Sequence, residues 1–269
     1  MRLALKIAYD GTLYHGYARQ PGIETIEGAL EKRLREMGAI GEGEHLQVAS
    51  RTDKGVSAAG NVIAFDTDME SESVANALAH SFRGIWVLGF AEVPEGFNPR
   101  HAVRKKYRYY LYNDGIDIGM LKKAVSLFIG EHDFTNFARL DGRNPVRKIE
   151  MAKVSGRRII KIDFEGKSFL WNQVRRMVAA AEKAGRGEAS LEELQNALNK
   201  KSRANFGIAP PENLLLMNLY YKKTLKFHSV EKTLKFISEM AKKAEVRASL
   251  SKDMARVCRF LSISESENF

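Results

Sequence analysis

The chain of 269 residues is long enough to bury a substantial core in one large or two modest domains, and its apolar fraction of 44% is ordinary for a globular protein. A formal charge of +10 and a pI near 9.6 point to a polyanionic partner, with nucleic acid ahead of membrane because no amphipathic anchor or lipidation motif opens the chain. The single Cys258 excludes an intramolecular disulfide and gives no basis for a Cys-based zinc site, and no run approaches the roughly 18 consecutive apolar residues of a membrane span, so a soluble, non-exported protein of the cytoplasm is expected.

Leu3 to Tyr9 reads as a strand, punctuated by Asp10-Gly11. Thr12 to Gly22 is polar, aromatic and Gly-rich without a clear period, which predicts an ordered loop. It is either structural, with one stacked aromatic pair, or presents Tyr14, His15, Arg19 and Gln20 to a nucleic acid through stacking and phosphate contacts. Ile26, Ala29, Leu30, Arg33 and Leu34 recur at helical spacing up to Gly38, predicting a helix from about Thr25 to Met37.

Val48 to Ala58 then breaks from an apolar run into a charged turn and resumes as the strand Asn61 to Asp66. If Ser50 to Asp53 is extended, the period of two places Arg51 and Asp53 on one face, where the guanidinium would keep the carboxylate ionised. Gly55 supplies the turn, although an Asp before such a Gly commonly does no more than cap its own backbone. Asp66-Thr67-Asp68 superficially matches a phosphotransferase nucleophile motif, but its last position is Glu70 and no later Lys-plus-acidic-pair pattern completes that site. Ser73 to Leu78 predicts a helix and Ile85 to Val93 a strand, giving the order strand, helix, strand, strand, helix, strand of a ferredoxin-like unit.

Pro99 to Asn113 contains no acidic residue. Its basic residues, among them Arg104, Lys105 and Arg108, interleave with tyrosines in an alternating strand pattern, which suits phosphate neutralisation and base stacking but also suits a basic edge strand with core tyrosines. Ile116 to Phe128 predicts a helix, and His132-Asp133 beyond it reads as a structural cap. Arg147 to Val154 and Arg158 to Glu165 form paired strands about Ser155-Gly156-Arg157. Phe169, Leu170, Val174, Met177 and Val178 have near-helical spacing, with Arg175 among them. Leu191 to Leu198 is a short helix and Arg203 to Ala209 a loop. From Lys222 to Phe269 eleven Lys or Arg face six Asp or Glu, about half the net charge in under a fifth of the length. Val230, Leu234, Ile237 and Ala241 predict one helix there, and Met254, Val257, Phe260 and Leu261 a second.

Several of these stretches, in order, resemble the TruA family of tRNA pseudouridine synthases. Arg51-Thr52-Asp53-Lys54-Gly55-Val56 is similar to the signature Arg-Thr-Asp-x-Gly-Val, with Lys54 and Ser57 standing where many bacterial relatives have Ala and His. The loop from Tyr9 is similar to Tyr-Asp-Gly-Thr-x-Tyr-x-Gly-Trp-Gln-x-Gln, with Tyr17 in place of Trp. Arg-Lys-Lys-Tyr-Arg-Tyr resembles Arg-x-Tyr-x-Tyr, Phe169 to Val178 resembles Phe-Leu-x-x-Met-Val-Arg-x-x-Val with Gln173 in place of Met, and Ala209 to Tyr221 resembles the closing strand Ala-Pro-x-x-Gly-Leu-x-Leu, with Asn213 in place of Gly and so expected at a positive φ. The likeness runs from residue 1 to about 221 and stops at Lys222.

It implies an α+β pseudouridine synthase fold: two ferredoxin-like halves, 1–102 and 103–221, with joined mixed sheets, followed by a basic helical extension at 222–269. It further implies a catalytic Asp53 assisted by Arg51 and Arg175, with Tyr107 against the target uracil and Leu214 as an apolar contact to it. Tyr14, Arg19, Arg104, Lys105 and Arg108 become candidate RNA contacts. The implied reaction converts uridine to pseudouridine at positions 38 to 40 of the tRNA anticodon stem-loop, in a homodimer, without metal or cofactor. A noncatalytic RNA-binding protein using the same basic cleft is the alternative class, and it would not need the carboxylate.

Overall fold

The computed structural model describes residues 1–266 apart from His80, with side chains described as far as Met254. Ten strands form one sheet: β1 Arg2–Tyr9, β2 Gln47–Val48, β3 Ser57–Asp66, β4 Ile85–Val93, β5 Arg104–Tyr112, β6 Gly130–Asp133, β7 Val146–Ser155, β8 Ile159–Gly166, β9 Leu214–Tyr220 and β10 His228–Ser229. The helices are α1 Ile26–Glu36, α2 Ser71–Leu78, α3 Ile118–Ser126, α4 Gln173–Gly185, α5 Leu191–Leu198 and α6 Glu231–Ser266. Neighbouring strands run β10-β4-β1-β3-β9-β5-β8-β7-β6, with the short β2 also paired to β3.

Two copies of one pattern are visible in that order. The strands of the first half, numbered one to four, lie as 4-1-3-2, and β5, β7, β8 and β9 repeat the arrangement as β9-β5-β8-β7. This is the ferredoxin-like arrangement, twice. The copies meet where β3 and β9 run parallel, through Ser57↔Leu215 and Ala58↔Leu216. A single continuous core joins the inward strand residues to the apolar stripes of the helices. Its alternation is clearest in β5, where Tyr107, Tyr109 and Leu111 are buried while Arg104, Lys106 and Arg108 lie on the opposite face.

Local signals account for most boundaries. Thr25 caps α1 by accepting from the Gly28 amide, and Met37 follows its last turn. Ser190 and Glu193 form a reciprocal capping box at α5. Gly156 takes φ +84° in the β7–β8 turn. Glu70 caps α2 by accepting from the Glu72 and Ser73 amides, and Asp66 pairs with Arg2 at 2.7 Å, so the apparent phosphotransferase motif consists of a strand-end ion pair and a helix cap.

Four expectations need correction. Residues 49–56 form an irregular loop, so the period-two argument for Ser50 to Asp53 does not apply. The helix predicted from Phe169 begins only at Gln173, because Asn172 holds φ 61° and turns the chain before it. Asn213, by contrast, has no positive φ and closes a short 3-10 turn from Pro211. The extension contains one helix where two were expected; the side chains of Val257, Phe260 and Leu261 lie outside the described residues.

Candidate active site

The loop from Ala49 to Val56 sits over the β3–β9 seam and is held from beneath at almost every residue. The Ala49 amide donates to the Val62 carbonyl at 2.9 Å, and the Lys105 amine donates to the Ala49 carbonyl at 2.7 Å. Asn61, fully buried, donates its side-chain amide to the Ser50 carbonyl at 2.8 Å, while the Ser50 and Tyr107 hydroxyls share a hydrogen bond of 2.8 Å. Thr52 is fixed twice, by the Tyr9 hydroxyl at 2.9 Å on its side chain and by the Tyr17 amide at 3.0 Å on its carbonyl. Buried polar groups satisfied in this way define one conformation, because any other leaves several of them unpaired. Gly55 closes the turn at φ +85°, where a Cβ would stand 2.9 Å from the Pro211 ring.

This scaffold leaves the Asp53 side chain projecting into open space. Its carboxylate lies 3.6 Å from the Arg175 guanidinium, with the Asp53 side chain 32% exposed and that of Arg175 12%. Arg175 is itself anchored: its Nε donates to the Ala209 carbonyl at 2.7 Å, and the Ala209 amide donates to the Arg175 carbonyl at 3.2 Å. Burial raises the Asp53 carboxyl above the ordinary carboxylate range, and the Arg175 charge with hydrogen bonds from Trp171 and Arg175 pulls it partly back. The result is a carboxylate poorly solvated yet held by one cation, an arrangement that strengthens it as a base or nucleophile.

Asp53 stands between two cavities. The first, about 810 Å³, is lined by Arg51, Asp53, Lys105, Tyr107, Arg175 and Leu214, among others. Here Tyr107 is 8% exposed, its ring meets Phe169 edge-on at 5.2 Å, and burial pushes its hydroxyl up to about 12. Its neighbour, about 900 Å³, shares Arg51, Thr52, Asp53, Trp171 and Arg175 and adds His15 and Gln20. Among the described residues, no three His, Cys, Asp or Glu side chains come close enough to hold a metal ion.

Asp53, Arg175, Tyr107 and Leu214, read from separate stretches, are therefore brought together. Arg51 borders both cavities but forms no ion pair with Asp53, whose cation is Arg175, 122 positions along the chain. Tyr14 is 4% exposed, with its hydroxyl donating to the Arg83 carbonyl at 2.6 Å, which makes it a core residue and corrects its expected place at RNA. Arg19 lines neither cavity and reaches Glu31 at 3.4 Å. Arg104 and Arg108 are turned to the far side of the sheet, paired with Glu165 at 3.2 Å and Asp163 at 2.6 Å; of the basic residues of β5, Lys105 faces the cavity. The sequence reading missed Trp171, exposed beside Asp53 with the Arg139 guanidinium 4.0 Å from its ring, and it missed the braces Ser50 and Asn61. Trp171 had a visible signal, an aromatic four residues before the Arg singled out; the braces had none.

A carboxylate and an arginine thus share a cavity with an aromatic and a leucine at the seam of two ferredoxin-like halves, and comparison with known proteins identifies the class as pseudouridine synthase. A family model described as tRNA pseudouridine synthase matches residues 124–222, the stretch that carries Arg175 and Leu214. The tRNA pseudouridine synthase A of Thermococcus sibiricus is 44% identical over 262 residues, covering 94% of this chain and 98% of that protein. The enzyme of the same name from Pyrococcus furiosus is 42% identical, covering 93% and 95%, and that from Methanothermobacter thermautotrophicus is 38% identical, covering 93% and 92%. The chain belongs to the TruA family of tRNA pseudouridine synthases, which are isomerases. The family model ends at residue 222, where the motif likeness also ends, whereas relatives that cover 94% of this chain match part of the basic extension as well.

Proposed function

We propose that this chain converts uridine to pseudouridine in tRNA, at position 38, 39 or 40 on the 3′ side of the anticodon stem-loop, and that Asp53 is its catalytic carboxylate. The observation that carries the reading is the convergence of Asp53, Arg175, Tyr107 and Leu214 on one cavity from opposite sides of the β3–β9 seam. The uracil N1–C1′ bond breaks, the ring turns, a C5–C1′ bond forms, the C5 proton leaves and the freed N1 takes up a proton, so that product and substrate are isomers. A carboxylate is needed to attack sugar or base, or to remove a sugar proton. The base must leave its stack to reach it. Tyr107 then offers a ring at the base and Leu214 an apolar wall that excludes water, while Arg175 orients the carboxylate and Arg51, at the rim of both cavities, fills the space left by the base.

The halves 1–102 and 103–221 act as units that each supply part of the site, with 222–269 as a basic helical extension; two copies clasp one tRNA, and the protein works in the cytoplasm. Among the described residues no helix is long and apolar enough to cross a membrane. The experiment is tritium release from tRNA labelled at uracil C5, with Asp53→Ala expected to bind tRNA and release none. Release at the wild-type rate would remove Asp53 from the chemistry. Anticodon stem-loops carrying uridine at a single position identify which sites are used.

A further inference from the structure

Strand β5 sorts its basic residues by face. On the outer face every cation is neutralised: Arg104 meets Glu165 at 3.2 Å, Lys106 meets Glu165 at 3.3 Å and Asp163 at 3.4 Å, and Arg108 meets Asp163 at 2.6 Å. Lys105, on the inner face, enters the cavity and has no carboxylate within ion-pair distance among the described residues. Its amine donates to the Ala49 carbonyl at 2.7 Å and reaches the Ser50 hydroxyl at 3.5 Å. An ammonium carries three donors, so one remains without a protein acceptor. Arg100 borders the same cavity, exposed and likewise without an ion pair among the described residues, and its charge bears on Lys105.

Two adjacent cations without an anion, one of them partly desolvated, are unfavourable until something negative arrives. Burial first, and Arg100 second, push the Lys105 amine down to about 8, which expresses that missing counter-charge. The anion that an RNA strand brings to every nucleotide is its phosphodiester, with two free oxygens for the spare ammonium donor and the guanidinium.

We propose that Lys105 and Arg100 form a subsite for one backbone phosphate next to the nucleotide that enters the cavity. This rests on the reading of the chain as an enzyme acting on tRNA. The subsite fixes the strand relative to Asp53, because the residue that takes the phosphate also holds the Ala49 carbonyl, four positions before the carboxylate. Binding there favours the charged amine. The contribution to tRNA affinity is therefore full below about pH 8 and fades as the pH rises through that value.

The test measures tRNA affinity against salt for the wild type, Lys105→Met, Lys105→Arg and, as a control of equal charge on the outer face, Lys161→Met. Lys105→Met should weaken binding about tenfold and lower the slope of log affinity against log salt by about one. Lys105→Arg should keep the slope, and Lys161→Met both slope and affinity. A second measurement uses the wild type alone: anticodon stem-loops with a single methylphosphonate should show one phosphate whose neutralisation costs comparable affinity. Lys105→Met with an unchanged slope and a collapsed turnover would make Lys105 only a brace for the loop, and a methylphosphonate series without effect would overturn the subsite even if Lys105→Met did not fold. These are binding measurements, so they remain readable if no pseudouridine is formed, the result that would sink the enzymatic reading instead.

Discussion

Replacing Arg175 by Met removes the cation facing Asp53 at nearly constant volume. At 3.6 Å the Coulomb energy of the pair is about 4.6 kcal/mol for an effective dielectric constant of about 20, and the exposure of Asp53 reduces it to the order of 2 kcal/mol. The same substitution strips the Ala209 carbonyl of a 2.7 Å hydrogen bond, which loosens the chain that leads into β9. A loss of about 2 kcal/mol in stabilisation of the reacting carboxylate corresponds to roughly 30-fold in kcat/KM. The pH profile carries the more discriminating signal. Asp53 already titrates above the ordinary carboxylate value because burial outweighs its partners, and losing the Arg175 charge moves it further up. The proposed role of Asp53 requires the ionised form, so the acid limb of kcat/KM should shift to higher pH in Arg175→Met. The assay is tritium release from C5-labelled tRNA between about pH 4.5 and 9, with Arg175→Lys as the variant that keeps the charge but cannot both donate to Ala209 and reach Asp53. An unmoved acid limb with kcat/KM within threefold of wild type would show that the pair does not act in the reaction.

Tyr107→Phe keeps the ring at the cavity and deletes the hydrogen bond to Ser50, so stability should fall by about 1 kcal/mol and kcat by less than tenfold while tRNA affinity stays within about twofold; lost tRNA binding would contradict the placement of Tyr107. Gly55→Ala forces a side chain into φ +85° and against Pro211, and a cost of about 1–2 kcal/mol, or roughly 2–8 °C in Tm, should accompany slower turnover as the loop shifts. An unchanged Tm would show that the turn relaxes freely.

What could be read from the sequence follows from how far apart the interacting residues lie. Strands β1, β4, β5, β7 and β8, together with helices α1 and α5, declare themselves through periods of two or 3.6 and through their own caps, all interactions within a few residues. Asp53, Tyr107, Arg175 and Leu214 were found through motif resemblance, and the cavity unites them. Arg51 was given to Asp53 by proximity in sequence, whereas the carboxylate takes a partner from α4 across the sheet. Nothing local in Arg104 or Arg108 discloses that Asp163 and Glu165 on β8 will neutralise them, and nothing in Tyr14 distinguishes a stacking ring from a core ring until its hydroxyl meets Arg83. The loop at Ser50 to Asp53 defied a strand reading because its conformation is dictated by Tyr9, Tyr17, Asn61, Lys105 and Tyr107 rather than by its own residues.

The parallel seam has a consequence for the order of events during synthesis. Ser57 meets Leu215, 158 positions later, and β9 occupies the place between β3 and β5 that joins the two halves. A ribosome-bound chain can therefore assemble β1 to β4 while the Asp53 loop still lacks Lys105 and Tyr107, which hold it from β5. Contacts of such sequence separation form slowly, so the two halves join in a late step, when β9 slots in between β3 and β5. Until then a partly made chain holds the Asp53 carboxylate without Leu214, which reaches the same cavity from the first position of β9.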